Sequence, residues 1–101
     1  MRTGDRIRLV AAKDFCFFRA ADKYVEGHTR EQCFILDQSL NQLAEELAGA
    51  DFVRVHRSAL VNLDCVEEIV RRSGGQYVVC MRDAAATQLP ISRSAKSALG
   101  L

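Results

Sequence analysis

The chain of 101 residues is 49% apolar and 27% charged, a composition typical of one folded domain. Its net charge of +1 is unevenly distributed: residues 1–30 and 54–101 each carry seven basic and four acidic side chains, whereas residues 31–53 carry five acidic and no basic ones. No apolar run approaches the ~18 residues of a membrane span, and the polar N-terminus lacks the pattern of a secretory signal. We therefore expect one cytoplasmic domain over residues 1–101.

The first third of the chain is typical of β structure. Short apolar runs bounded by polar turns predict four strands, at residues 7–10, 15–18, 24–29 and 33–36. The second run, FCFF, is continuously apolar, which favours a strand covered on both faces. Residues 21–23 and 29–32 are predicted as the turns that separate the later strands.

One amphipathic helix is predicted at about residues 39–48. Three leucines recur at three- and four-residue spacing on one face: Leu40, Leu43 and Leu47. Ser39 and Gln42 fit a capping box, in which each side chain bonds the other residue's backbone amide. Gly49 lies where a left-handed residue commonly ends a helix.

The second half of the chain returns to short strands. Five are predicted, at residues 52–56, 59–62, 66–70, 76–81 and 87–91, with turns at 71–75 and 82–85. Pro90 suits an edge strand because it lacks a backbone donor, and Ser92 could cap a short terminal helix. The expected fold class is mainly β, with small antiparallel β sheets and one amphipathic helix.

The four cysteines do not indicate a disulfide framework or a zinc site. They are Cys16, Cys33, Cys65 and Cys80, which lie 17, 32 and 15 residues apart, whereas zinc sites usually show close pairs. Disulfides need an oxidising compartment, and no export signal is visible. Because each cysteine lies in an apolar run, we expect small buried hydrophobic side chains, and neither metal nor cofactor.

Catalytic motifs are also missing from the sequence. The only histidines, His28 and His56, have no nucleophile arranged beside them in a known motif. Glu67 and Glu68 are adjacent on a predicted strand, so their carboxylates should point to opposite faces. The Gly74-Gly75 pair lacks the lysine of a phosphate-binding loop and is typical of a hairpin turn. We therefore expect no enzymatic activity, which the small size of the domain also disfavours.

Residues 52–69, FVRVHRSALVNLDCVEEI, form the most informative stretch of the chain. This stretch resembles the signature of the LytTR (LytR/AlgR-type) DNA-binding domain of bacterial transcription regulators. The likeness extends to FRAADKYV at residues 18–25, to the leucine-rich helix within 36–47, and to LPISR at 89–93 followed by Lys96. The matches cover about residues 6–99, in order and at family-like spacing.

The resemblance implies sequence-specific binding to double-stranded DNA, with loops rather than a recognition helix entering successive major grooves. Six residues at matching positions are the implied DNA contacts: Lys23, Tyr24, His56, Arg57, Arg93 and Lys96. Arg57 and Arg93 are the expected base readers, because arginine can bond O6 and N7 of guanine together. Family members commonly bind directly repeated half-sites as dimers held by another domain.

Four of these six residues have a structural alternative that the sequence leaves open. Arg57 could be a solvated loop residue, and Arg93 could cap the last strand or pair with Asp83. Tyr24 could pack its ring on the sheet, and His56 could bond backbone at a strand end. The remaining candidates are weaker: Arg19 for a phosphate, Arg71 and Arg72 as a basic patch or a soluble turn, and Asn62 as a residue that fixes a turn.

The overall charge also leaves a second class of function open. A net charge of +1 is low for a nucleic-acid binder, so few phosphate contacts and a shallow salt dependence are expected. The alternative is a protein-interaction module whose strand edges accept a partner strand. In the DNA-binding interpretation, Glu45 and Glu46 place the acidic helix on the side away from DNA. A redox response at Cys65 or Cys80 is a further alternative, disfavoured by their apolar neighbours.

Overall fold

The computed structural model describes residues 2–3, 6–7 and 11–101, and short antiparallel strands make up most of its regular structure. The strands are β1 (Arg2–Thr3), β2 (Arg6–Ile7), β3 (Phe17–Ala20), β4 (Val25–His28), β5 (Cys33–Leu36), β6 (Phe52–His56), β7 (Ala59–Asn62), β8 (Val66–Arg71), β9 (Tyr77–Met81) and β10 (Gln88–Ile91). Two short helices, α1 (Leu40–Glu46) and α2 (Arg93–Ala98), complete the fold. The predicted mainly β class is confirmed.

The strands form two principal sheets. The larger has five strands in the order β5-β4-β3-β7-β6, and the smaller has three in the order β10-β9-β8. A separate two-stranded ribbon joins β1 to β2. All the pairs are antiparallel, so strands that follow one another in the chain can be joined by tight turns.

Two apolar clusters lie on opposite faces of the five-stranded sheet. On one face, α1 packs over a cluster formed by Phe15, Phe18, Val25, Phe34, Leu36, Leu40, Leu43 and Leu60. On the other face, the three-stranded sheet and α2 enclose a cluster that includes Phe17, Val55, Val61, Val79, Met81, Leu89 and Ala95. Adjacent phenylalanines of β3, Phe17 and Phe18, therefore enter different clusters. The prediction of a strand covered on both faces is confirmed.

Each of the two helices begins directly after its N-capping residue. Ser39 accepts a hydrogen bond at Oγ from the amide of Gln42, and its own amide donates to Gln42 Oε1, so the predicted capping box is present. α1 ends at Glu46, two residues before the predicted end, and Gly49 adopts a left-handed conformation in the turn that follows. The short terminal helix is also present as α2, with Ser92 as its N-cap.

Several strand boundaries differ from the prediction. β3 begins at Phe17 instead of 15, and a short 3₁₀ turn at Ala12–Asp14 lies before Phe15 and Cys16. β4 begins at Val25, so Tyr24 belongs to the preceding turn. Of the strand expected at residues 7–10, Ile7 belongs to β2 and residues 8–10 lie outside the described residues. Pro90 lies on β10, an edge strand, as its missing amide requires.

The prediction that all four cysteines are buried is wrong for Cys33. Cys16 and Cys65 are buried in the core and Cys80 is half-buried, but Cys33 is exposed. The reason is the alternation of β5, in which Phe34 and Leu36 face the core while Cys33 and Ile35 face outward. An apolar run on an edge strand therefore does not imply that each of its residues is buried. No helix in the described part of the chain is long and apolar enough to cross a membrane.

Candidate nucleic-acid interface

Three chain segments meet at one edge of the domain. They are residues 21–24 between β3 and β4, residues 57–58 between β6 and β7, and the connection at Ser92 between β10 and α2. The amide of Ala20 donates to the carbonyl of Ser58 at 2.9 Å, and the amide of Ser92 donates to the carbonyl of Val55 at 2.7 Å. Backbone hydrogen bonds therefore fix the three segments relative to one another.

Two shallow clefts lie at this edge, one on each side of the β6–β7 turn. The first is lined by Lys23, Tyr24 and Arg57 together with the first turn of α1. The second is lined by His56, Arg93 and Lys96 together with the β8–β9 turn. The structure therefore brings all six sequence-predicted site residues to neighbouring surfaces, although they lie far apart in the chain.

Three of the predicted cations have no side-chain partner. Lys23, Arg57 and Arg93 are exposed, and none of them makes an ion pair or side-chain hydrogen bond with any residue of 11–101. Tyr24 is 43% exposed at the same turn as Lys23. The proposed pairing of Arg93 with Asp83 is not present, because the Asp83 carboxylate accepts from Thr87 instead. These three charges are therefore available to an external ligand.

Lys96 and Arg19 are already engaged within the domain. The Lys96 ammonium donates to the carbonyl of Gly75 at 3.0 Å and lies 5.0 Å from the centre of the Tyr77 ring. It thereby connects α2 to the β8–β9 turn. Arg19 donates to Glu26 on the neighbouring strand at 3.2 Å, so a phosphate would have to compete with this carboxylate.

His56 uses one ring nitrogen to hold the β6–β7 turn. The amide of Ser58 donates to His56 Nδ1 at 3.1 Å, and Ser58 Oγ lies 2.8 Å from the same atom. This is the backbone contact expected of a structural histidine. Because Nδ1 accepts, the neutral ring carries its proton on Nε2, which has no partner among residues 11–101. His56 therefore combines a structural contact with a free donor in the second cleft.

Arg54 also lies at this edge, although the sequence indicated only that it belongs to the strand at residues 52–56. Its guanidinium donates to the carbonyl of His56 at 3.0 Å, to the carbonyl of Arg57 at 2.6 Å and to Asn41 Oδ1 at 3.0 Å. These three bonds hold the backbone beneath Arg57 and connect the turn to α1. A basic residue at i−3 from a turn arginine was visible in the sequence, but its partners were not.

Two further residues considered in the sequence, Asn62 and Arg72, make hydrogen bonds within the domain. Asn62 is buried, and its amide donates to the carbonyls of Lys13 and Phe15 while its oxygen accepts from the amide of Asp64. It thus fixes a turn, as expected. Arg72 donates to Gln88 Oε1. The β8–β9 turn, with Gly74 and Gly75 in the left-handed conformation, lies against the second cleft.

The acidic helix is not wholly remote from this edge. Its first turn lines the first cleft, and Asn41 bonds Arg54, whereas Glu45 and Glu46 are exposed at its other end. The placement of Glu45 and Glu46 on the side away from DNA stays a prediction, whereas the first turn of α1 lies beside the candidate edge. The strands β6 and β7 that pack on α1 also carry the turn with Arg57, which brings the start of the helix beside it. Asp22 and Asp37 also line the first cleft, so its charge is mixed.

The chain belongs to the LytTR family, since the family model described as the LytTr DNA-binding domain matches residues 5–100. The resemblance seen in the sequence is confirmed. A solved LytTr DNA-binding domain from Bacillus cereus superposes with a TM-score of 0.83 at 23% identity, covering 97% of this chain and 88% of that one. This match shows the shared fold.

Full-length relatives carry additional chain. The sensory transduction protein LytT of Oceanobacillus iheyensis is 39% identical over 80 residues, which cover 73% of this chain and 32% of that protein. The positive alginate biosynthesis regulatory protein of Pseudomonas aeruginosa is 33% identical over 92 residues, which cover 91% of this chain and 37% of that protein. The chain spans about a third of the length of these relatives. The family model that the chain matches is a DNA-binding domain, and DNA binding in transcription regulation is its class of function.

Proposed function

We propose that this chain reads duplex DNA sequence-specifically as the output domain of a bacterial transcriptional regulator, working in the cytoplasm and without enzymatic activity. The observation that carries the proposal is that three exposed cations at one edge have no side-chain partner among residues 11–101: Lys23 and Arg57 on two loops, and Arg93 at the start of α2. Surface cations without internal partners are what a polyanionic ligand requires. The loops would enter successive major grooves from this edge.

The six candidate residues have different roles in this proposal. Arg57 and Arg93 read bases, because a free guanidinium can bond both acceptors of guanine in the major groove. Lys23 and the Tyr24 hydroxyl contact a base or phosphate from the first loop. His56 donates to DNA through Nε2. Lys96 acts mainly by holding α2 and, through it, Arg93; any phosphate contact is secondary because its ammonium is already bonded.

The test is selection of binding sites from a randomised duplex pool, repeated with Arg57→Ala and Arg93→Ala. Each substitution should weaken binding to the selected site by about 1–3 kcal/mol and relax base preference at its own position. Arg82→Ala is a matched control, because Arg82 pairs with Glu67 on the three-stranded sheet. A loss that is equal on all sequences would instead make Arg57 and Arg93 phosphate ligands.

Paired half-sites are a further part of the proposal. Direct repeats spaced by about one helical turn would place two copies on the same face of the duplex, with dimerisation supplied by another domain of the full-length regulator. The selected sequences test this directly, since a tandem motif near one-turn spacing is expected. A single motif with no preferred partner spacing would contradict it.

A protein-interaction module is the second candidate function, favoured by apolar side chains that outermost strands of both sheets expose. β5 is an edge strand that exposes Ile35, and β8 is an edge strand that exposes Ile69. Either edge could add a partner strand. Salt distinguishes the two functions: DNA affinity should fall linearly with salt on logarithmic axes, whereas strand addition should depend little on salt.

A further inference from the structure

Three metal-ligating side chains converge on the solvent-facing side of β4 and β5, away from the loops of the proposed interface. Glu26, His28 and Cys33 place one ligand atom each within 4.8 Å of one another. His28 Nε2 lies 3.0 Å from Glu26 Oε1 and 3.6 Å from Cys33 Sγ. We propose that these residues form a binding site for a divalent transition metal of the zinc type.

The backbone brings these ligands together. Glu26 and His28 are two residues apart on β4, so their side chains share one face of the sheet. Cys33 begins β5 directly opposite His28 in the antiparallel register. Cross-strand partners have Cβ atoms about 4.5–5.5 Å apart, which is close enough for both side chains to reach one ion. This arrangement escapes a search for close cysteine pairs, because the ligands span a hairpin.

The distances between ligand atoms suit tetrahedral coordination. Zinc bonds of about 2.0 Å to nitrogen and oxygen and about 2.3 Å to sulfur separate tetrahedral N and O ligands by about 3.3 Å, and N and S ligands by about 3.5 Å. The observed separations are 3.0 and 3.6 Å. The third pair, Glu26 and Cys33, lies within 4.8 Å. An ion between the three atoms would replace the hydrogen bond between His28 and Glu26, and Cys33 would release its thiol proton to solvent on binding.

Neighbouring residues fix the His28 ring and leave the Glu26 carboxylate able to bind a metal. The His28 ring stacks on Phe17 with 4.4 Å between ring centres and 13° between planes, which fixes its orientation. Arg19 and His28 both bond Oε1 of Glu26, so Oε2 has no partner among residues 11–101. Among residues 11–101, Arg19 bonds the same Oε1 that lies 3.0 Å from His28 Nε2, and Arg30 lines the same cleft as His28 and Cys33. When Oε1 binds the metal, Arg19 can move to Oε2.

The donor set determines the class of ion. A thiolate, an imidazole and a carboxylate favour Zn²⁺ or Co²⁺ over Mg²⁺, which prefers oxygen ligands in octahedral geometry. Three protein ligands leave a fourth position for water or an exogenous ligand. Because Cys33 is exposed at the sheet edge, that position faces solvent and the ion can enter directly.

Co²⁺ is the probe, because a cobalt–thiolate bond gives a charge-transfer band in the near ultraviolet. The 101-residue chain, kept reduced, should bind one Co²⁺ with this band, and Zn²⁺ should displace it while Mg²⁺ should not. Cys33→Ser should abolish the band. His28→Gln and Glu26→Gln should each weaken binding by at least about tenfold, the scale of losing a metal-site contact. Circular dichroism checks that each variant is folded.

The matched control is Cys80→Ser, since Cys80 lies on β9 in the other sheet and is half-buried. This variant should bind Co²⁺ as the unsubstituted chain does. The proposal is overturned if no band forms at millimolar Co²⁺, if the band survives Cys33→Ser, or if it disappears with Cys80→Ser. Unchanged affinity in Glu26→Gln would also overturn the three-ligand site. Because Cys33 is exposed, its serine variant should fold even if His28→Gln does not.

Discussion

Replacing Arg54 should weaken DNA binding without removing a DNA contact. Arg54→Met keeps the length of the aliphatic stem but removes all three hydrogen bonds to His56, Arg57 and Asn41. A typical hydrogen bond contributes a net of about 0.5–1.5 kcal/mol, so loss of these bonds should lower the free energy of unfolding by about 1.5–4 kcal/mol. Urea denaturation of both proteins measures this difference.

Arg54→Met should also lower the affinity for DNA, because the β6–β7 turn becomes less ordered in the free protein. Without Arg54, the backbone at Arg57 is held less firmly and must be fixed when DNA binds. Fixing one residue's backbone costs about 1–2 kcal/mol, which corresponds to a loss in affinity of roughly tenfold. Fluorescence anisotropy with the selected duplex measures it, and Arg82→Met controls for the loss of one positive charge.

A double-mutant cycle shows whether Arg54 acts through Arg57. If it does, adding Arg54→Met to Arg57→Ala should cost little further affinity, because the side chain being positioned is already absent. The salt dependence of binding should also stay unchanged for Arg54→Met, whereas loss of a phosphate ligand lowers the slope by about one. Additive losses together with a reduced slope would refute the positioning role.

Three further predictions concern the framework of the domain. Gly27→Ala should destabilise the fold by about 1–3 kcal/mol through overpacking, since an added Cβ would lie 2.8 Å from the Phe15 ring; an unchanged urea midpoint would contradict this. Ser39→Ala should cost about 1 kcal/mol by removing the cap of α1, whereas Ser39→Asp should retain most of the stability. In native protein at pH 8, iodoacetamide should modify the exposed Cys33 before Cys16, as followed by mass spectrometry. Burial and the neighbouring Cys65 thiol raise the pKa of Cys16 to about 12, so equal rates in folded protein would be inconsistent with the structure.

The sequence predicted the helices and strands more accurately than the burial of their side chains. The leucine spacing and the Ser39–Gln42 pair were sufficient for α1, because both signals are local. The exposure of Cys33 could not be predicted in the same way: an apolar run of four residues looks alike at the centre and at the edge of a sheet. Only the strand order, which depends on contacts distant in sequence, shows that β5 is an edge.

The candidate interface shows the same limit. Motif resemblance located Arg57 and Arg93, but it could not separate free cations from engaged ones. The resemblance implies a DNA contact for Lys96, but its hydrogen bond to Gly75 and its position over the Tyr77 ring depend on the β8–β9 turn folding against α2. Arg54 was overlooked for the corresponding reason, since its partners include a helix residue 13 positions away.

The hydrogen bond from Ser92 to the carbonyl of Val55 has a consequence for the geometry of the operator. It attaches the segment that carries Arg93 to the strand that leads to Arg57, so the distance between the two arginines is set before DNA arrives. Inserting one base pair between their targets would move the second target by about 3.4 Å along the duplex axis and rotate it by about 35°. The domain should therefore tolerate a base change at either contact more readily than a change in the spacing between the two contacts.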